Sequence, residues 1–338
     1  MSRKNGIDLF RLIAAFFVMF LHTSYGNLNN DIASYIRLSG RWAVPFFFMC
    51  SGYFLNNRIS ETGKLTFGSI EKNMVTLISL LIVTSIVYLP LHFLTTGTWY
   101  SCKAELLFCG TWWHLWFISS LLFGYITITY FFAINKSKWL LPLSVIIALF
   151  AIVADSYDNF FGLRINYDEL ARFLLSIPFM YLGLNISKTR FYKVNIAVIA
   201  FLATLGYMLQ IAEAQMFYQL FGYDKYTHQF LFGSILMAVS LFLFALKLEI
   251  PDNKVSSWGR KYSLSVYLYH LFVFFFTAKI IHVSFPNASN NTALLIPFVA
   301  FPVILIGNII LEKKLPSLFC ILNGKFAEQT FLRKKTEA

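Results

Sequence analysis

Apolar residues run along this chain in blocks too long and too unbroken to be the inward faces of surface helices. Ten blocks can be marked, at about 7–25, 42–56, 74–94, 115–134, 139–154, 170–186, 194–216, 229–247, 263–283 and 293–312. A helix needs roughly 20 apolar residues to cross a hydrocarbon core of about 30 Å, and most blocks approach that length. The second and sixth are short, and the fifth is bounded by "NKSK" and "DSYDN", so nine or eleven crossings are also compatible with the pattern. Backbone groups in hydrocarbon must be satisfied within the segment. The expected fold is therefore an all-α integral membrane protein, a bundle of about ten transmembrane helices.

Composition agrees, with 58% hydrophobic and only 13% charged residues, against roughly 25% charged in soluble domains. The charges that remain are unevenly placed. The N-terminus, the even-numbered junctions ("NNRISETGKLTFGSIEK", "NKSK", "SKTRFYK", "KLEIPDNKVSSWGRK") and the C-terminal tail hold 20 of the 28 Lys and Arg residues. Because Lys and Arg accumulate in cytoplasmic loops, both termini are expected in the cytoplasm, with the protein multi-pass in the inner or plasma membrane. The net charge of +12 then reflects topology and attraction to anionic headgroups, and nucleic acid need not be invoked. A cleaved signal peptide is not expected, since Asp8 and Arg11 interrupt the region that should be apolar. No Gly-rich phosphate loop, tandem repeat or soluble domain is visible. The chain divides into a transmembrane domain, 1–312, and a basic cytoplasmic tail, 313–338, which reads as an interfacial amphipathic helix or a contact surface. Cys102 and Cys109 share an outer loop, where they either pair or stay as two thiols. No Cys/His spacing suits zinc, and no metal is expected. Oligomeric state is left open.

Chemistry has to be sought within the bundle, and the first block, "FRLIAAFFVMFLHTSYG", carries some. Arg11 and His22 are eleven residues apart, which on a helix is roughly 16 Å of rise and some 20° of rotation. They share a stripe at two depths. Asp8 precedes Arg11 at a spacing where opposite charges pair. Intramembrane charges cost about 2.5 to 3.5 kcal/mol on insertion scales and usually face a bundle interior. Snorkelling to the headgroups explains either residue alone, but does not require both to lie on one stripe.

"RWAVPFFFMCSGYFL" repeats the two levels in the opposite direction. Arg41 should sit at the depth of His22, and Ser51 and Gly52, ten residues or about 15 Å further, at the depth of Arg11. Pro45 either kinks the helix or occupies its first turn. Gly52 admits a ligand or a neighbouring backbone, and Ser51 with Gly52 also suits small-residue packing. "WWHLWF" offers His114 and Trp116, while Trp112 and Trp113 read as interfacial anchors. "SLSVYLYHLF" places His270 inside the ninth block, as a core or a functional histidine. In the acidic and basic loop "ADSYDNFFGLRINYDELAR", Arg172 is the residue a solvated loop explains least.

These segments resemble the acyltransferase 3 family of integral membrane acyltransferases. "GIDLFRLIAAFFVMFLH" is similar to its first-helix signature, an Asp, an Arg three residues later and a His after ten more, matched by Asp8, Arg11 and His22. "RWAVPFFFMCSGYFL", "WHLWF" and "YSLSVYLYH" resemble further family segments in order, so the resemblance covers nearly the whole chain. It implies a cytoplasmic acyl-CoA donor, commonly acetyl-CoA, and a hydroxyl acceptor on a cell-envelope glycan or lipid-linked sugar. The opening segments are also similar to the membrane domain of the vancomycin-resistance serine racemase, which implies an alternative, transport of a small polar solute such as serine. The chain stops at "RKKTEA", so a soluble racemase half is not expected.

Acyl transfer fits the residue types. A histidine is the usual base for a hydroxyl at neutral pH, and His22 is the candidate. Arg11, steadied by Asp8, would hold donor phosphate, while Arg41, Ser51, Gly52, His114, Trp116 and His270 are the candidate substrate-binding residues. Either the donor's long arm threads between the two levels or the acyl group is relayed.

Overall fold

A computed structural model describes residues 4–23, 31–62, 64–98, 106–158, 160–161, 168–186, 193–225, 228–284 and 294–326. Among them there are helices and no strand. In chain order the α-helices are α1 (Asn5–His22), α2 (Asp31–Leu38), α3 (Ala43–Thr62), α4 (Phe67–Thr96), α5 (Leu106–Cys109), α6 (Trp116–Ala133), α7 (Leu140–Asp155), α8 (Asp168–Leu174), α9 (Ser176–Ile186), α10 (Ile196–Phe221), α11 (Phe232–Lys247), α12 (Lys254–Ser284), α13 (Ile296–Lys314) and α14 (Pro316–Leu322). Every apolar block falls on helix, the sixth being shared by α8 and α9. Among the described residues eight helical stretches are long and apolar enough to cross a membrane, and α11 is a shorter apolar helix. The protein is a multi-pass, all-α membrane protein.

Local chemistry sets the helix ends. Thr66 and Ser69 cap the start of α4 reciprocally, and Gly97, at φ 72°, closes its end; a glycine there meets no Cβ penalty. Asn195 accepts from the Ala197 amide at 2.8 Å to start α10. Pro45 lies in the first turn of α3, where its missing N–H breaks no helical bond.

The helices form two shells. Of the spans beginning at Asn5 and Trp113, 56% is buried, against 33% for α4, 28% for α10 and 33% for α13. The outer helices turn Ile78, Ile82 and Ile86, Phe201 and Leu205, and Val303 and Ile306 outward. Apolar faces of that extent call for hydrocarbon around them. Inside, α3 and α9 cross nearly backbone to backbone. A Cβ on Gly52 would stand 1.9 Å from the Met180 carbonyl oxygen, and one on Gly183 would stand 2.1 Å from that of Met49.

Long-range hydrogen bonds sort the junctions into two ends. At the start of α1, Asn5 donates to the Ile250 carbonyl at 3.1 Å, Arg260 binds Asp8, and Lys247 donates to the Val194 carbonyl. At the opposite end Tyr207 donates to the Tyr35 carbonyl at 3.0 Å, and Asp155 accepts from the amides of Gln229 and Phe230. Basic junctions around 194 and 247–261 therefore gather beside the N-terminus, the spatial counterpart of the charge alternation. The described part of the tail folds back onto the bundle, with Phe319 and Cys320 buried and the Leu322 carbonyl accepting from Tyr269 at 2.7 Å. Cys102, and with it the question of whether it pairs with Cys109, lies outside the described residues, as does the tail beyond 326.

Candidate active site

The two depths inferred from spacing correspond to two cavities, one at each end of α1. The first, of about 410 Å³, is lined by Arg11, Cys50, Ser51, Arg58, Lys72, Asn73 and Tyr125 among others. Arg58 is held across α3 and α4 by the Ser69 carbonyl at 2.6 Å and by Asn73 Oδ1 at 2.9 Å. Arg11 is steadied from within its own helix by Asp8 at 3.6 Å. Asp8 makes its closer contact elsewhere, accepting from Arg260 at 2.7 Å. Three cationic side chains thus line one cavity, an arrangement suited to phosphate oxygens.

The second cavity, of about 280 Å³, is lined by His22, Arg37, Arg41, Trp113, Trp116, Arg172, Gln229, Phe230 and Tyr267, with Leu21, Val44 and Pro45. Arg41, in the turn between α2 and α3, is pushed down to about 10 by burial and by the nearby Arg37 and Arg172, against the pull of Asp155. It stays charged at neutral pH. The 228–233 segment that closes one side is fastened by two carboxylates, the half-buried Asp155 and the buried Glu213. Asp155 accepts from Gln229 and Phe230 at 2.7 and 2.9 Å, and Glu213 from Phe232 and Gly233 at 3.0 and 2.8 Å and from the Tyr157 hydroxyl at 2.6 Å. His228, at the root of that segment, is held below its ordinary value of 6.5 by burial, with Asp155 opposing.

Beside His22 lie two more imidazoles. His270 stacks on His22 with ring centroids 5.1 Å apart and planes at 24°, and His114 meets His270 edge-on at 5.5 Å. Both are fully buried, and their hydrogen bonds assign their tautomers. His114 Nε2 faces the Leu268 carbonyl at 3.0 Å, and His270 Nδ1 faces the Tyr267 carbonyl at 2.5 Å. A carbonyl can only accept, so each of those nitrogens carries a proton, and in the neutral ring the other nitrogen keeps its lone pair. Those two atoms, His114 Nδ1 and His270 Nε2, are buried with no hydrogen-bond partner among the described residues. Three basic rings therefore meet at one point beside a cationic cavity. Among the described residues no three His, Cys, Asp or Glu groups converge as metal ligands.

The structure brings His22, Arg41, Trp116, His114 and His270 together at one end of α1, and Arg11 and Ser51 at the other. Gly52 is the exception. Its missing side chain is required by the Met180 backbone, so it serves the α3–α9 crossing, the packing alternative, rather than a ligand. Trp113 corrects the reading as an anchor alone, because its ring meets His22 edge-on at 4.7 Å. Arg37, Arg260 and Tyr267 carried no signal beyond residue type. Arg172, singled out only because a solvated loop explains it least, lines the His22 cavity.

The family model described as an acyltransferase domain matches residues 4–312. The chain belongs to the acyltransferase 3 family. Two curated relatives from Enterococcus faecalis, each named amino-acid racemase, are 34% identical over 165 residues and 30% identical over 129 residues. Those alignments take in 46% and 36% of this chain but only 23% and 17% of the relatives, so the chain spans under a quarter of the proteins it matches. No solved structure matches. The three histidines of this acyltransferase 3 family member lie beside one cavity, and the cluster of Arg11, Arg58 and Lys72 lines the other.

Proposed function

We propose that this acyltransferase moves an acetyl group from acetyl-CoA, bound by its phosphates at the Arg11 cavity, to a hydroxyl held in the His22 cavity. The acceptor is a cell-envelope glycan or lipid-linked sugar, and the Arg11 end, where the basic junctions gather, faces the cytoplasm. The observation that carries the reading is the position of His22, with His270 and His114 behind it, on the wall of a small cavity some 16 Å of helix rise from Arg11. His22 takes the proton as the acceptor oxygen attacks the thioester carbonyl. The new C–O bond replaces the C–S bond, and the departing thiolate of CoA recovers a proton. Arg41, with its guanidinium on the same cavity wall, supports the oxyanion. His270 and His114 orient His22 and the acceptor through their unprotonated nitrogens.

Purified protein given labelled acetyl-CoA should release CoA and transfer label, and His22→Ala should abolish both. Full activity in His22→Ala removes the proposed base. The curated relatives are named for an activity on amino acids, and with the resemblance to a serine racemase membrane domain this supports a second reading, in which the same cavities bind and pass an amino acid such as serine. Uptake of serine into proteoliposomes in the absence of any acyl donor supports it, and acetyl-CoA turnover without uptake excludes it.

A further inference from the structure

No residue lines both cavities. On three helices the lining changes over within a few residues, from Pro45 to Phe47 on α3, from Trp116 to Phe117 on α6 and from Tyr267 to Leu264 on α12. At about 1.5 Å per residue these steps amount to roughly 2 to 5 Å, so the wall between the cavities is about one side chain thick. That side-chain layer is aromatic. Phe47, Phe117 and Tyr267 contribute one ring from each helix, with centroids 6.0 Å apart for Phe47 and Phe117, 6.2 Å for Phe47 and Tyr267, and 4.9 Å for Phe117 and Tyr267. All three are buried, and every spacing lies in the range of favourable aromatic pairs. Phe48 stacks on Phe117 at 4.9 Å. Tyr267 is also tied to the imidazoles, its hydroxyl donating to the His114 carbonyl at 3.0 Å and its own carbonyl accepting from His270.

We propose that Phe47, Phe117 and Tyr267 form a septum that seals the Arg11 cavity from the His22 cavity and parts to admit the acyl end of the donor. The fit of these rings then sets how large an acyl group reaches His22. A seal of this kind keeps His22 and the acceptor apart from the donor until the acyl end is through, and closes the path between the two aqueous sides. Rings in van der Waals contact block a hydrated solute while remaining able to swing about their side-chain torsions. The seal stands on geometry alone. Its part in selecting the acyl group rests on the acyl-transfer reading above.

The test uses the full chain in oriented vesicles, with Cys50, Cys102, Cys109 and Cys320 replaced by alanine. A single reporter is placed in the Arg11 cavity by Ser51→Cys or in the His22 cavity by Val44→Cys. A charged, membrane-impermeant methanethiosulfonate is then applied from either side. Each reporter should label from its own side alone. Adding Phe47→Ala or Phe117→Ala should speed labelling of the Ser51→Cys reporter from the His22 side by about tenfold or more, equivalent to about 1.4 kcal/mol of lost barrier. Tyr267→Phe keeps the ring and should keep the seal. Equal labelling of the Ser51→Cys reporter from both sides without a septum substitution overturns the proposal. So does an unchanged rate in Phe47→Ala and Phe117→Ala proteins whose Val44→Cys reporter still labels normally. The selection step is read from butyryl-CoA turnover relative to acetyl-CoA, which should rise in Phe47→Ala. An unchanged ratio in a protein whose seal has opened overturns selection alone, and no turnover of any acyl-CoA by the unsubstituted protein overturns the transfer reading while leaving the seal.

Discussion

Asp8→Asn changes a single charge where one carboxylate meets two arginines. Asp8 is only 4% exposed. Its carboxylate is shared between Arg260 at 2.7 Å and Arg11 at 3.6 Å, and Arg260 has a second, longer partner in Asp252 at 3.9 Å. The crossing is tight, since a Cβ on Gly259 would come within 1.8 Å of the Asp8 carbonyl oxygen, so α1 and α12 have little room to readjust. Asparagine keeps one oxygen and turns an NH₂ group toward a guanidinium. Losing a charge-assisted hydrogen bond costs about 1.5–3 kcal/mol, and breaking a fully buried pair about 3–5 kcal/mol. The Arg11 and Arg260 side chains are 22% and 27% exposed and can recover some hydration, so the lower range applies. About 2 kcal/mol, or roughly 30-fold in the ratio of folded to unfolded protein, is expected. The assay is the denaturant midpoint in detergent micelles for Asp8→Asn, Arg260→Gln, Arg11→Gln and the two double variants. Asp8 and Arg260 should show a coupling of about 0.5–3 kcal/mol, and Asp8 with Arg11, at the longer distance, a smaller one. An unchanged midpoint for Asp8→Asn, or a larger coupling to Arg11 than to Arg260, refutes this reasoning.

Glu213→Gln should lower the unfolding free energy by about 1–3 kcal/mol, because the new NH₂ group faces an amide or hydroxyl that now lacks an acceptor; a denaturant midpoint equal to the unsubstituted protein's shows that the start of α11 is held by other groups. For His228, burial keeps the folded-state pKa below the ordinary 6.5, with Asp155 and Asp158 pulling upward and Arg41 downward. The unfolded chain therefore takes up its proton first as pH falls. The stability contributed by neutral His228 is complete above about pH 6.5 and is lost as pH drops below it toward the folded-state value, so His228→Gln should flatten that part of the stability profile measured by denaturation, and a slope that survives the substitution assigns it elsewhere.

Depth in the bundle was legible from sequence, and azimuth was not. A fixed rise per residue converts Arg11 and His22, or Arg41 and Ser51, directly into levels, and the two members of each pair do face different cavities. Nothing in local spacing says which helix stands opposite. Asp8 and Arg260 are 252 residues apart, and His22, His114 and His270 come from three separate helical segments, so their meeting depends on tertiary packing. Residue type misleads in the same way. Gly52 looks alike in sequence whether a ligand or the Met180 backbone approaches it, and Trp113 looks alike whether it anchors at the membrane surface or also covers His22. The septum is the sharpest case. Phe47, Phe117 and Tyr267 sit among Phe46, Phe48 and Leu268, which are equally apolar and fully buried, and each alone is an ordinary core residue. They become a barrier only because three helices bring one ring apiece to the same depth, between an arginine and a histidine that one helix had already set apart.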